Sequence, residues 1–399
     1  MNTWKECTLS ELGTIVGGAT PSTKKAANYE NGTISWITPK DLAGFTGRFI
    51  SRGERNITKE GLRSCSAQLM PKNTILFSSR APIGYIAIAK KELCTNQGFK
   101  SVVPNNNTDY MFLYYLLKYN KEAIEHMGSG TTFKEVSGNT MRNIKVKIPV
   151  SLEVQRKIAG ILSLLDDKIE LNTAINENLE QQIEAIILAF LENKDAIPVK
   201  LGDYLYIKGR IGWKGLKKSE YLSQSGYRII NGETLTKSGI DWNKAGYISE
   251  ERYIESPEIM LKVGDILLSK DGTIGKIGYV DSLELPTSVA SGIFVIRNNK
   301  PDIISTTFIY YLLKSRFFES FIAARTEGSV IPHLYQKDFM EFEFPLPSSD
   351  KMAEFEELTE PMFSQIVNNL NENKKLAALR DGLLPKLMSG ELDVSNLVL

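Results

Sequence analysis

The chain contains the same pattern twice. Phe112-Leu-Tyr-Tyr-Leu-Leu-Lys118 returns as Phe308-Ile-Tyr-Tyr-Leu-Leu-Lys314, and Ile75-Leu-Phe-Ser78 with Ile83-Gly84 returns as Ile266-Leu-Leu-Ser269 with Ile274-Gly275. Gly98-Phe99 has a counterpart in Gly292-Ile293-Phe294, and Gly130 and Pro149 return as Gly328 and Pro347. The offset drifts from 191 to 198 along the unit, so length differences fall in loops while the cores stay equivalent. An opening Leu12-Gly13 matches Leu201-Gly202 in the same way. This constrains the chain to an A–B–A′–B′ plan, with globular modules at 1–150 and 196–349 and connecting segments at 151–195 and 350–399.

Both modules read as mixed α/β. Thr74–Ser78, Tyr85–Ala89, Ile144–Ile148, Asp265–Ser269 and Ile293–Arg297 are short β-branched runs bounded by turn-forming or charged residues. The duplicated Phe112–Lys118 and Phe308–Lys314 segments have Tyr and Leu spaced three and four apart, predicting helices with one apolar stripe turned inward. Gly17-Gly18, Pro21 and the Lys24-Lys25 pair mark a long loop, and Lys208–Lys218, with Gly209, Gly212 and Gly215, is its counterpart.

The connecting segments are heptad helices. Positions 158, 165, 172, 179 and 186 are Ile, Leu, Asn, Leu and Ile; four residues after each come Leu162, Ile169, Asn176, Ile183 and Phe190. In the C-terminal segment Phe355, Met362, Asn369, Leu376 and Leu383 interleave with Thr359, Ile366, Asn373, Arg380 and Leu387. Both helices are therefore polar at mid-length, at Asn172 and Asn176 in one and Asn369 and Asn373 in the other. Antiparallel pairing lets those amides satisfy each other, and a slipped register would leave them facing Leu or Ile. Pro361 and Pro385 predict that the straight part of the second helix starts near the first proline and stops before the second. The fold class expected is α+β: two related mixed α/β domains joined by two long helices in an antiparallel coiled coil, related by a pseudo-twofold internal repeat.

Charge is segregated along the chain more sharply than the net charge of +1 suggests. Residues 1–150 carry 20 Lys and Arg against 11 Asp and Glu, which suits a polyanion, whereas 151–195 carry 4 against 9. The longest apolar run is the seven residues Ala185–Leu191, far short of the roughly 18 that span a bilayer. Met1–Leu12 contains Glu6 and Glu11 and no apolar core, so no leader peptide is expected. Cys7, Cys65 and Cys94 are odd in number and lack a CxxC pair, which suits reduced thiols in the cytoplasm.

Catalytic constellations are missing from the sequence. His126 and His333 lie in no metal-ligand spacing and read as structural, and no GxSxG, Walker A or GxGxxG motif occurs. No Pro-Pro dipeptide is present, so the Asn/Asp-Pro-Pro-aromatic signature of amino-methyltransferases is absent. Acid-x-Lys triplets at Asp166-Asp167-Lys168, Glu192-Asn193-Lys194 and Glu372-Asn373-Lys374 fall in or beside the helices and read as solvated faces.

The ordered set of motifs resembles the specificity subunit of type I restriction–modification systems. It comprises Gly17-Gly-Ala-Thr-Pro-Ser22, Ile34-Ser-Trp-Ile37, Ser78-Ser-Arg-Ala-Pro-Ile-Gly84 and Thr95-Asn-Gln-Gly-Phe99 in the first module. Ile266-Leu-Leu-Ser-Lys-Asp-Gly272 and Pro332-His-Leu334 follow in the second. The helices add Gln155-Arg-Lys-Ile-Ala159, Leu165-Asp-Asp-Lys-Ile-Glu170 and Leu379-Arg-Asp-Gly-Leu-Leu-Pro-Lys-Leu-Met-Ser-Gly-Glu391. The resemblance implies two target-recognition domains, each reading one half of a bipartite double-stranded DNA site. It implies that the helices act as spacer and dock two methyltransferase subunits, to which restriction–translocase subunits can add. S-adenosylmethionine, ATP and Mg would then belong to those partners and not to this chain. The rival of another class is a structural adaptor whose duplicated modules bind proteins.

DNA recognition needs Lys and Arg at phosphates and Arg, Asn, Gln, Ser or Thr at base edges. In the first module Lys24, Lys25, Arg52, Arg55 and Lys100 are candidate phosphate contacts, Ser79, Arg80, Asn96 and Gln97 are candidates near the bases, and Thr20 and Ser22 are further DNA-binding candidates. In the second the candidates are Lys208, Arg210, Lys214, Lys217, Lys218, Lys270, Asp271 and Thr273. The second module lacks the Thr-Pro-Ser loop, which suits a different half-site. Trp36, Tyr114, Tyr115, Tyr310 and Tyr311 read as core residues rather than base-stacking groups.

Overall fold

The fold comes from a computed structural model that describes residues 3–80, 82–130, 134–192, 196–211, 214–236, 239–326 and 333–394. Ala81, Asn193, Lys194, Gly212, Gly328 and Pro332, named in the motifs above, lie outside the described residues. Contacts divide the chain into two units, Met1–Asn172 with Asn371–Leu399, and Thr173–Leu370. Each long helix, Leu152–Leu191 and Ser349–Ser389, gives one half to each unit.

In the first unit a five-stranded sheet has the spatial order Gly13–Gly17, Lys100–Pro104, Ile75–Ser79, Ile83–Ala89, Phe49–Ile50. Its central strand, Ile75–Ser79, is buried along its whole length, as a strand with neighbours on both sides and covered faces must be. A three-stranded sheet sets Ile34–Ile37 antiparallel to Arg55–Ile57 and parallel to Cys94–Thr95. A third sheet pairs Trp4–Thr8 with Lys145–Pro149.

The second unit repeats all three. Leu205–Gly209, Ile293–Asn298, Ile266–Ser269 and Ile277–Tyr279 form its larger sheet in the matching order. Arg228–Ile230 runs antiparallel to Gly246–Tyr247 and parallel to Thr287–Val289, and Ile197–Lys200 pairs with Glu343–Leu346. These pairings correct one sequence match. Leu9 and Leu201, both fully buried, follow the first strand of their units and donate their N–H to Ile144 O and Phe342 O, each at the start of the closing strand. Leu201 is therefore equivalent to Leu9 and not to Leu12, because strand register, not the Leu-Gly dipeptide, sets the alignment.

The duplicated helices are Tyr110–Tyr119, capped by the Asp109 carboxylate on Phe112 N–H, and Thr306–Lys314, capped by Ser305 Oγ on Phe308 N–H. Neither has the single inward stripe expected. Phe112 to Leu117 and Thr307 to Leu313 are buried without a break, because each helix packs into a core that also includes sheet and long-helix residues. Trp36, Tyr114, Tyr115, Tyr310 and Tyr311 are core residues, as expected.

The long helices run antiparallel within each unit. In the first, Asn172 Nδ2 donates to Asn373 Oδ1 at 2.9 Å and Arg380 pairs with Asp166; in the second, Asn369 Nδ2 donates to Asn176 Oδ1 at 2.8 Å and Phe190 packs edge-on against Phe355. The C-terminal helix continues through both prolines, contrary to the sequence expectation. Pro361 and Pro385 lie on its exposed side, where the carbonyls they free, Glu357 and Asp381, belong to exposed residues that water can reach. Buried neighbours, Phe355, Thr359 and Phe363 at one proline and Leu384, Leu387 and Met388 at the other, hold the helix in line.

The Asp166-Asp167-Lys168 triplet is not a solvated face throughout. Asp166 is buried, accepting from Tyr115 Oη–H at 2.6 Å and from Arg380 Nη1 at 2.5 Å. Arg48, also buried, donates to Glu170 and Asp167 of the same helix. Burial works against the Arg48 charge, but these carboxylates outweigh it and raise its pKa above the ordinary value. Among the described residues no helix is long and apolar enough to cross a membrane.

Candidate nucleic-acid interface

Three turns of the first unit come together at the ends of its sheet strands. The loop after Gly17 lies against Thr95 and Asn96 so closely that a Cβ on Gly18 would fall 2.1 Å from the Asn96 carbonyl oxygen, which only glycine avoids. Trp36 Nε1–H donates to Ala19 O and Tyr29 Oη–H to Pro21 O, fixing that loop from below. Thr20 Oγ1–H donates to Gln97 Oε1, joining loop and turn through side chains. Ser22 is exposed, and its carbonyl accepts from Asn28 Nδ2. Lys24 and Lys25 stand exposed beyond it. Arg55 lies over the Tyr29 ring at 4.5 Å, an arrangement that holds the guanidinium beside the loop. Arg52 is exposed.

Asn96 and Ser79 are occupied in shaping turns. Asn96 Oδ1 accepts from Gly98 N–H, and Ser79, fully buried, donates its N–H and hydroxyl to Gly98 O. Ser79 is thus not placed at a base edge, a correction to its candidacy. Arg80 Nη1 donates to Glu135 Oε2 at 3.3 Å, and Lys100 Nζ reaches Glu135 Oε1 at 3.1 Å. Sequence reasoning missed Glu135, since a lone acid 55 residues from Arg80 carries no local signal.

The second unit places its candidates differently. Lys208, Lys217 and Lys218 are exposed, with Lys208 Nζ near the Tyr206 ring. Lys214 Nζ donates to Glu255 O. Arg210 is not a surface cation: it is 3% exposed, donating to Val289 O, Ser256 Oγ and Ser288 Oγ at 3.2–3.3 Å. Burial, then the nearby Arg252, lowers its pKa. A cation enclosed in this way pins the loop to the smaller sheet and cannot meet a phosphate without leaving it. Lys270 is half-buried, whereas Asp271 and Thr273 are exposed on one turn. Asp271 Oδ1 accepts from His333 Nδ1, so His333 is tied to a side chain, whereas His126 bonds the Glu122 carbonyl. Among the described residues no three His, Cys, Asp or Glu side chains gather as a metal site.

The arrangement is a duplicated α/β module whose strand-end turns gather cations and amides. The same architecture is found in a solved structure of a type I restriction–modification S subunit from M. genitalium, which superimposes with a TM-score of 0.60 over 97% of this chain and 96% of that one, at 20% identity. In sequence, the family model described as "Type I restriction modification DNA specificity domain" matches residues 1–181 and again 193–377. The chain is 33% identical to the type I restriction enzyme MjaIX specificity subunit of Methanocaldococcus jannaschii over 99% of its own length and 94% of the relative's. It is also 33% identical to the EcoR124I/EcoR124II specificity subunit of Escherichia coli over 45% and 44% of the two chains. The chain belongs to the type I restriction–modification specificity-subunit family.

Proposed function

We propose that this chain is the non-catalytic recognition subunit of a type I restriction–modification complex in the cytoplasm, each module reading one half of a bipartite double-stranded DNA site. The observation that carries this reading is the repetition of one three-sheet module with different side chains on equivalent turns, which is what two different half-sites require. Lys24, Lys25, Arg52 and Arg55 are assigned to phosphates in one half-site, and Lys208, Lys217 and Lys218 in the other. Arg80, Gln97 and Thr20 face bases in the first, and Lys270, Asp271 and Thr273 in the second. The long helices set the separation of the half-sites and dock two methyltransferase subunits, with restriction–translocase subunits added to that core. S-adenosylmethionine, ATP and Mg act on those partners.

Methylation mapping in cells expressing this chain with its methyltransferase subunit, against cells lacking the chain, tests the reading. A chain-dependent split motif with a fixed gap is expected; a stable complex with no such motif would favour the structural adaptor. Inserting one heptad in phase into both helices adds about 10 Å, so the gap should lengthen by about three base pairs. An unchanged gap would remove the spacer role.

A further inference from the structure

The described residues of one turn make the same hydrogen bonds in both units but carry opposite charge at its tip. Ser78 Oγ–H donates to Pro82 O and accepts from Tyr85 N–H, both at 2.8 Å; Ser269 Oγ–H donates to Thr273 O at 2.7 Å and accepts from Lys276 N–H at 2.9 Å. The flanking backbone bonds repeat as well. Ser79 N–H donates to Gly98 O and Lys270 N–H to Gly292 O, while Val136 N–H donates to Ser79 O and Leu334 N–H to Lys270 O. Hydrogen bonding alone therefore makes Arg80 equivalent to Asp271 and Glu135 to His333. Strand pairing does the same for Lys100 and Phe294, which face Gly17 and Gly209.

At these equivalent places the polarity is reversed. In the first unit the tip is the Arg80 guanidinium, and the flank is the Glu135 carboxylate, shared with Lys100. In the second the tip is the Asp271 carboxylate, and the flank is the His333 imidazole; Lys270 Nζ lies 3.4 Å from Asp271 Oδ2 and over the Phe294 ring. The first tip can only donate hydrogen bonds; an ionised Asp271 can only accept them. An acid at a DNA-facing tip is repelled by phosphates unless cations stand beside it, and here Lys270 does. On the major-groove edge guanine offers two acceptors, O6 and N7, whereas cytosine offers the N4 amino donor. Adenine sets its N7 acceptor beside the N6 amino group, which disfavours a carboxylate.

We infer that Arg80 and Asp271 occupy the same reading position in the two half-sites with opposite selectivity, Arg80 for guanine and Asp271 for cytosine, and that Glu135 and His333 are the positioning residues that aim them. The inference rests on the DNA-reading role proposed above.

The test is motif mapping with the full chain co-expressed with its methyltransferase subunits, comparing wild type with Arg80→Ala, Arg80→Lys, Glu135→Gln, Asp271→Asn and His333→Gln. Co-purification of the complex checks assembly of each variant. Wild type is expected to show a G·C pair at the equivalent position of both half-sites, with guanine on the strand that Arg80 reads in one and cytosine on the strand that Asp271 reads in the other. Both Arg80 variants and Glu135→Gln should relax that one guanine by about 10-fold or more and leave the other half-site intact. Asp271→Asn should move the cytosine position toward adenine, which Asn reads, and His333→Gln should relax the same position only. A split wild-type motif that none of these variants alters, or that they relax in both halves, overturns the inference and leaves the recognition role standing. Absence of any split motif in wild type fails the recognition role, and the inference with it.

Discussion

Asn369 Nδ2 donates to Asn176 Oδ1 at 2.8 Å while Asn176 Nδ2 reaches the Ile366 carbonyl at 3.3 Å, so a buried amide pair is satisfied across two helices of the second unit. Asn176→Leu strips the buried Asn369 Nδ2 of its acceptor, leaving only the Gln365 Nε2 bond to Asn369 Oδ1, and should lower stability by about 1–3 kcal/mol. Asn176→Leu with Asn369→Leu replaces both amides by apolar groups and should recover most of that loss. Urea midpoints of the four-member cycle measure the coupling; additive losses would mean the pair does not act as a unit.

Asp166 anchors the first unit's helix contacts, because it pairs with Arg380 across the helix pair and also holds Tyr115. Burial works against the Arg380 charge, and the Asp166 hydrogen bond offsets it. Asp166→Ala is expected to cost about 1.5–3 kcal/mol by removing the cross-helix partner of a mostly buried guanidinium, which still pairs with Asp381 on its own helix. Tyr115→Phe should cost only about 1 kcal/mol. Equal losses in thermal or urea unfolding would contradict this ranking.

Arg210 and the lysine loops should separate in binding experiments on the assembled complex. Lys24→Ala with Lys25→Ala is expected to reduce the slope of log affinity against log salt by about 0.9 per lost phosphate contact. Arg210→Met should leave that slope unchanged and lower the melting temperature instead. A reduced slope for Arg210→Met would return that residue to the DNA surface.

The three thiols should differ in reactivity. Burial pushes the Cys94 thiol up to about 12 and raises that of Cys7, whereas Cys65 is only half-buried. With iodoacetamide at pH 8, mass spectrometry should find Cys65 modified first and Cys94 protected until the protein unfolds. Comparable rates at Cys65 and Cys94 would contradict the burial of Cys94.

By itself the sequence determined the duplication, the α/β character of the modules, and the two helices with their register, because each depends on local period or on pairs of like residues. Heptads announce a helix whatever surrounds it, and Asn at matching mid-points admits one alignment. Tertiary structure decided what depends on neighbours distant in the chain. It enclosed Arg210 and Ser79, both candidate DNA contacts by residue type, and buried the Phe112–Leu117 and Thr307–Leu313 segments all round. It carried the C-terminal helix through Pro361 and Pro385, since tertiary packing outweighed one missing hydrogen bond at each. It also brought Glu135 to Arg80 and His333 to Asp271 across 55 and 62 residues of chain. Charge polarity at a turn is set by which side chain arrives from elsewhere, and periodicity carries no record of that.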